Sequence, residues 1–420
     1  MALVDGFDVA VRVARLGLAS SAEGVTLLET YVRRAATAYG LDVALMVLPE
    51  QILVQEATAP EPRSAVIRAA PGIFRLDQVA DLKRTLVEIE DGLDADGACR
   101  RLDAIADRRP LWPWWARVGG VALFAAGFAP SVVASWGEVG AAAILGLLMG
   151  VLVVAAGGTP FEGLVPFVGA FVVTLVGLTV LSGLAATNGV TLLVLPALFI
   201  TVPGDTLSAA AAELLGGRIT AGAIRLVMGL FVLGLVVVGV VAATNLSGDA
   251  DLLTETLPEP ELSLLGILGG WVVFCAGLVL AFNAETTVFW WLVPSVIGTF
   301  LLQQAGTQAA GTVAGTLLAG IVLGAFANLV DANHRRPPRL ILVLGGFFVL
   351  TVGGLGVRGA AALFGGDAVS GVQDLAEFGL QVPIVAVALA LGVVLSDKHR
   401  WLPTIHGLRG RSSVVRPGDS

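Results

Sequence analysis

LVLPALFITVPGDTLSAAAAELLGGRITAGAIRL, residues Leu193–Leu226, has a counterpart 149 positions further on. This is LVLGGFFVLTVGGLGVRGAAALFGGDAVSGVQDL at Leu342–Leu375, and the two agree without a gap at 12 of 34 positions. Each copy runs through an apolar span, a Gly-rich break, an alanine-containing run, a Gly-Gly pair and a small polar segment closed by Gly and Leu. An Ala/Gly/Leu/Val-rich composition raises chance identity. It does not readily place Gly204/Gly353, Gly216/Gly365, Gly217/Gly366 and Gly222/Gly371 in one frame. The expectation is a duplicated unit, and a repeat of this length sets the architecture around it.

The chain has 420 residues, of which 56% are hydrophobic and 14% charged, and its mean hydropathy is +0.87. That is too little polar material to coat a soluble globule of this size, so an integral membrane protein is expected. The first 117 residues are rich in Asp, Glu and Arg, whereas later charges fall in short segments between apolar runs. A soluble domain followed by a membrane domain is the expected order. The net charge of −8 leaves no basic footprint for nucleic acid. Cys99 and Cys275 are too far apart and too differently placed to imply a disulfide framework, which fits a reducing compartment for the first domain. MALVDGFDVAVRVARLGLASSAEG is interrupted by Asp5, Asp8, Arg12 and Arg15 and lacks a signal-peptide core, so the first span is expected to direct insertion.

Residues 23–39 place Val25, Leu28, Val32, Ala35 and Ala36 on one face at helical spacing, and Gly40 follows as a stop. Short β-type runs DVALMVLP, QILVQEAT and SAVIRAA come next, and helical patterns return at 77–90 and 94–107. The sum is a small α+β domain with no Cys/His cluster at metal spacing and no phosphate-binding loop, better suited to a structural or regulatory role than to catalysis. Arg108, Arg109, Trp112, Trp114, Trp115 and Arg117 then form a collar of interface-seeking residues before the first apolar run.

Ten spans are expected, at about 118–134, 139–157, 161–183, 189–204, 224–244, 263–282, 286–303, 309–329, 340–357 and 375–396. With the collar inside, the Arg218 loop, HRRPPR at 334–339 and DKHRW from Asp397 all fall inside, while Asn245–Ser263, with five acids and no Lys or Arg, falls outside. Arg358 is the main exception. Both termini are then cytoplasmic. Five spans per half is an odd number, so the two copies must cross in opposite senses, giving an inverted repeat with a substrate site between halves near the midplane. The expected division is 1–110 cytoplasmic domain, 111–245 first membrane repeat, 246–262 acidic outer loop, 263–397 second repeat and 398–420 cytoplasmic tail. The fold class is thus a polytopic α-helical membrane protein behind a soluble α+β domain. Gly146/Gly150, Gly311/Gly315 and Gly320/Gly324 are small-xxx-small pairs suited to close helix packing.

These residues carry a resemblance. TLLETYVRRAATAYGLDVALMVLP, LDADGACRRLDAIADRRP, the Val-Pro-Gly before a loop ending GGRITAGAIRL, and the second, degenerate version of that unit together resemble the threonine/serine exporters over nearly the full length. The resemblance implies ten spans in two related halves and efflux of small hydroxy amino acids driven by the proton motive force. Some relatives split the halves into separate chains and are linked to dicarboxylate export. Two departures stand out. Val352–Gly354 reads Val-Gly-Gly where the family has Val-Pro-Gly, and the acid following the first Pro-Gly is best matched by Glu213, with Asp205 an additional acid.

A Pro-Gly break within a span frees backbone groups and is tolerated in lipid only against protein or a water-filled cavity. Pro203, Gly204 and Asp205 are therefore substrate-site candidates, with Glu213 and the partner break Gly353–Gly354, although span four could simply end there in cytoplasmic water. Glu213 and Arg225 flank an alanine-rich stretch, as part of a site or as a solvated ion pair. Glu138 opens span two and Glu285, with Asn283 nearby, opens span seven. Buried, either glutamate is a candidate proton carrier alongside Arg225; at the interface, each is a helix-start carboxylate. Gln303, Gln304, Thr307, Gln308 and Thr312 read as a polar outer turn, and His334, His399 and His406 as cytoplasmic residues near arginines. No HExxH, GxSxG or Walker motif is present, so an enzyme or an ATP-driven pump is not expected. No cofactor or metal is expected either. The expected partners are an amino-acid substrate and the bilayer, with a homo-oligomer left open. A succinate-type dicarboxylate exporter, a channel or a membrane sensor with a regulatory domain are the alternatives.

Overall fold

A computed structural model of the protein describes residues 5–19, 24–57, 61–68, 75–133, 135–181, 189–248, 262–333, 335–350 and 368–397. The first domain has α1 (Gly6–Ala19), α2 (Val25–Ala38), three strands β1 (Val43–Val47), β2 (Gln51–Glu56) and β3 (Ser64–Arg68), then α3 (Leu76–Glu90) and α4 (Ala95–Ala106). The strands form an antiparallel sheet in the order β1-β2-β3, with Leu45 opposite Val54 and Ile52 opposite Ile67. Alternation sends Ile52 and Val54 to one face, where they join Val13, Val32, Leu82, Leu86 and Leu102 in a single core. α1 is an element the sequence reading left out: its acids and arginines line one face, while Phe7, Ala10, Val13, Ala14 and Leu18 bury the other. Asp94 caps α4 by accepting from the Gly97 amide.

The membrane domain comprises α5 (Trp114–Phe128), α6 (Trp136–Ala156), α7 (Val165–Thr179), α8 (Gly189–Leu198), α9 (Gly204–Leu215), α10 (Ile219–Ser247), α11 (Leu264–Ala281), α12 (Phe289–Ala310), α13 (Thr312–Asp331), α14 (Arg339–Val349) and α15 (Ala368–Ser396). Among the described residues seven helices are long and apolar enough to cross a bilayer, or eight if the bent pair α8–α9 is one span. The chain is therefore a multi-pass membrane protein. α5 and α14 are shorter, and α14 runs into residues 351–367, which lie outside the described residues together with Gly353, Gly354 and Arg358. His334, His399, His406 and most of the acidic 246–262 stretch also lie outside them.

α5 and α11 cross backbone to backbone because glycine faces glycine. A Cβ on Gly127 would collide with the backbone of Phe274 and the carbonyl of Gly270; one on Gly277 would collide with the backbone of Phe124 and the carbonyl of Gly120. The two sets are one contact with the halves exchanged: Gly127/Gly277, Phe124/Phe274 and Gly120/Gly270 each stand 150 positions apart. Phe124 and Phe274, themselves such a pair, meet at a ring-centroid distance of 4.6 Å. The correspondence extends further. α10 and α15 both have 29 residues and start 149 positions apart. Gly239 of α10 packs on Phe171 of α7, while Ala388 of α15, 149 positions later, packs on Gly320 of α13. Small residues at these crossings permit the close approach on which helix association in lipid depends.

Contacts to the first domain fix the direction of the membrane helices. The collar reaches the end of α11: Trp112 Nε1 donates to the Ala284 carbonyl at 3.0 Å. α5 therefore leaves from the domain side. α9 returns there, since Glu213 near its end accepts from the Val25 amide, and α14 starts there, beside Asp331, which holds Lys83. The path α8–α9 runs toward the domain and α14 runs away from it.

Candidate functional site

The break anticipated at Val-Pro-Gly is where α8 ends. A short 3-10 turn, Phe199–Thr201, closes it, Val202 is extended, and Pro203, which cannot donate an amide hydrogen, precedes α9. The two segments meet at 53°. Gly204 is buried and opens α9, and its N–H turns back to the Val202 carbonyl at 2.9 Å. Its φ is not left-handed, so its value lies in small size rather than in a special conformation. Asp205 follows in the first turn of α9, half-buried, with the Thr206 hydroxyl 3.4 Å from its carboxylate. An acid is favourable there because the first-turn amides carry partial positive charge.

Around the break lies an aromatic cluster drawn from five helices. Phe199 stacks on Phe128 at 4.5 Å and meets Phe348 of α14 at 5.5 Å; Phe348 in turn lies 5.0 Å from Phe124. Trp271 stands edge-on to Phe128 at 5.8 Å and beside Phe300 at 5.9 Å. Trp271 is 1% exposed, and its indole N–H has no acceptor among the described residues. The sequence reading missed Trp271 and the phenylalanines, since aromatics inside apolar runs carry no mark of depth or partner. An unpaired buried donor is costly enough to call for an explanation.

The other candidates separate into three places. Glu213 and Arg225 are both 5% exposed and pair at 3.0 Å. This corrects the solvated-pair reading: α9 and the start of α10 pack side by side, and Gly222 lets α10 close on Leu214. The same Glu213 oxygen accepts from the Val25 amide at 2.9 Å, while its second oxygen is buried without a partner among the described residues. Glu138 is buried but committed locally, since it forms a capping box with Ser135 at the start of α6, on the side away from the first domain. Glu285 sits at the domain face, 2.5 Å from Arg84 of α3. Asn283, in a left-handed turn at φ 55, is buried beside it, its side-chain Oδ1 accepting from the Trp112 backbone amide at 3.4 Å. The fold thus brings Pro203, Gly204 and Asp205 together, joins Glu213 to Arg225 at the domain face, and sets Glu138 and Glu285 at opposite ends of the bundle. Gln303, Gln304, Thr307 and Gln308 close α12 at the turn into α13, which starts at Thr312, away from the domain.

Comparison with known proteins bears on this arrangement. The family described as “Putative threonine/serine exporter” matches residues 8–247, the first domain and the helices through α10. A protein of Mycobacterium tuberculosis (strain ATCC 25618 / H37Rv) named “Probable threonine/serine exporter” is 27% identical over 415 residues, which cover 93% of this chain and 75% of that one. No solved structure matches. The family match spans more than half of the chain, and the chain belongs to the threonine/serine exporter family.

Proposed function

We propose that the protein is a secondary exporter of small hydroxy amino acids, threonine and serine, in a prokaryotic cytoplasmic membrane. It is driven by the proton motive force, with the first domain and both termini on the cytoplasmic side. The observation that carries this reading is the broken span at Phe199–Gly204 meeting Phe348 inside the bundle. A helix start exposed at a break offers N–H groups to a carboxylate, aromatic faces suit an ammonium, and Asp205 supplies the negative charge that a substrate amine or a coupled proton requires. Trp271 adds a free donor for the substrate's carboxylate or hydroxyl. Gly353 and Gly354 form the second break in this reading, on the strength of the sequence frame alone.

Ten spans in two inverted five-helix repeats is the architecture this reading requires. The reciprocal Gly127/Phe274 and Gly277/Phe124 contacts support it, because a two-fold axis between antiparallel helices generates paired contacts of this kind. Glu213 and Arg225 are assigned to the cytoplasmic gate rather than to substrate.

Counterflow in liposomes tests the substrate class. Vesicles preloaded with unlabelled threonine are expected to draw in labelled threonine, with competition by serine and none by succinate. Exchange of succinate without threonine would move the assignment to dicarboxylates.

A further inference from the structure

The first domain touches both membrane halves at once. On the first half, the start of α2 caps Glu213 through the Val25 amide, and Glu29, one turn on, takes Arg218 from the α9–α10 turn at 2.5 Å. On the second half, α3 makes the contacts. The Leu76 amide donates to the Phe282 carbonyl at 3.0 Å, Arg84 pairs with Glu285, and Lys83 pairs with Asp331 at 2.6 Å while also donating to the Asp331 carbonyl at 2.8 Å. α2 and α3 share one continuous core with the sheet and are joined across their faces by the Arg34–Glu90 pair at 2.6 Å, so they cannot separate without unfolding the domain.

We propose that this domain is a releasable clamp that holds the cytoplasmic side of the transporter closed, with Glu213 as its latch. The inference rests on the two-halves reading. If the halves rock against each other, opening toward the cytoplasm requires the α9–α10 turn to part from the α11–α12 and α13–α14 turns. One rigid body bound to all three turns opposes that motion. An exporter loads from the cytoplasm, so loading waits on release. The contacts suit a reversible clamp: Arg84, Glu29 and Arg218 are partly solvated, and such pairs are individually weak. The Glu213 carboxylate keeps Arg225 when α2 leaves, so release strands no buried cation.

The test uses the full-length chain with Cys99 and Cys275 replaced by Ala and a reporter thiol at Ser208, buried on α9. A charged thiol reagent is applied to inside-out vesicles. Arg84→Glu, which sets like charges against each other at Glu285, is expected to speed labelling on the order of fivefold and to raise threonine export similarly. Adding Glu285→Arg is expected to return both rates to the starting value. Labelling of Arg84→Glu at the unmodified rate overturns the clamp. So does faster labelling with slower export, since the domain would then be a support the cycle needs. Faster labelling in a protein that moves no amino acid in any form upholds the clamp and removes the exporter reading instead.

Discussion

Phe199 and Phe348 stand 149 residues apart in the chain and 5.5 Å apart, ring to ring, in the fold. They occupy the same place in the two copies of the duplicated stretch, and they arrive by helices that run in opposite senses relative to the first domain. In the proposed inverted repeat, a contact between equivalent residues of the two copies lies on or near the two-fold axis. The interior of the bundle at these rings is where the two halves share a surface and where the substrate path is assigned.

The α5–α11 crossing predicts a matched pair of mutational effects. Gly127→Ala and Gly277→Ala each press a methyl into the partner helix backbone, whereas Gly119 and Gly269, equally 150 positions apart, face open space. The first two substitutions are expected to cost about 1–3 kcal/mol each, seen as lowered thermal midpoints in detergent, and the second two to leave the midpoint unchanged. Unequal effects of Gly127→Ala and Gly277→Ala would count against the two-fold relation.

Glu213 and Arg225 are buried together, so removing the carboxylate takes the opposite charge from beside a buried guanidinium. Glu213→Leu is expected to destabilise by about 3–5 kcal/mol, and Arg225→Met added to it to recover most of the loss. Thermal unfolding of the single and double variants checks this; a double variant no better than Glu213→Leu would show that the pair is not the reason for the cost.

Much of this was legible in the sequence, for identifiable reasons. Pro203 and Gly204 fall together at the end of an apolar run and so marked the break, although Pro294 and Pro383 are carried inside α12 and α15; alternation and helical spacing marked β1 to β3 and α2 to α4. α1 escaped because Asp8, Arg12 and Arg15 read as interruptions, whereas in the fold they are the outer face of an amphipathic helix. The clamp had no signal at all. Val25 reaches Glu213 through a backbone amide, which every residue but proline has, and Arg84 finds Glu285 across 201 positions. Long-range partners of this kind are set by tertiary packing, not by local pattern.

Docking of the first domain is expected to be indifferent to pH across the physiological range. Burial raises the Glu29 carboxyl, but the guanidiniums of Arg33 and Arg218 outweigh it and hold the group below its usual value. A carboxylate held low contributes fully above the ordinary value of about 4.3 and loses its contribution only as pH falls through the lowered one. Spin labels at Met46 on the outer sheet face and at Phe161, both exposed, should keep one distance between about pH 5 and pH 8 and broaden only below about pH 4. Release between pH 5 and pH 7 would require another titrating group at the interface.

Orientation is checked with two single cysteines. Asp251→Cys, in the acidic stretch, is expected to react with an impermeant thiol reagent in intact cells. Gly163→Cys, on the domain side where there is room for it, is expected to react only after lysis. The reverse pattern would place the first domain outside the cell.

The most direct test of the central claim is energetic. Purified protein in liposomes, given labelled threonine at equal concentration on both sides and an imposed pH gradient, is expected to accumulate threonine on one side and to lose the excess when a protonophore is added. Trp271→Phe should weaken the apparent affinity for threonine while leaving the protein folded, since an aromatic ring is kept while the N–H is lost with the five-membered part of the indole. Threonine that moves only down its own gradient, unaffected by the protonophore, would identify a channel and contradict the account.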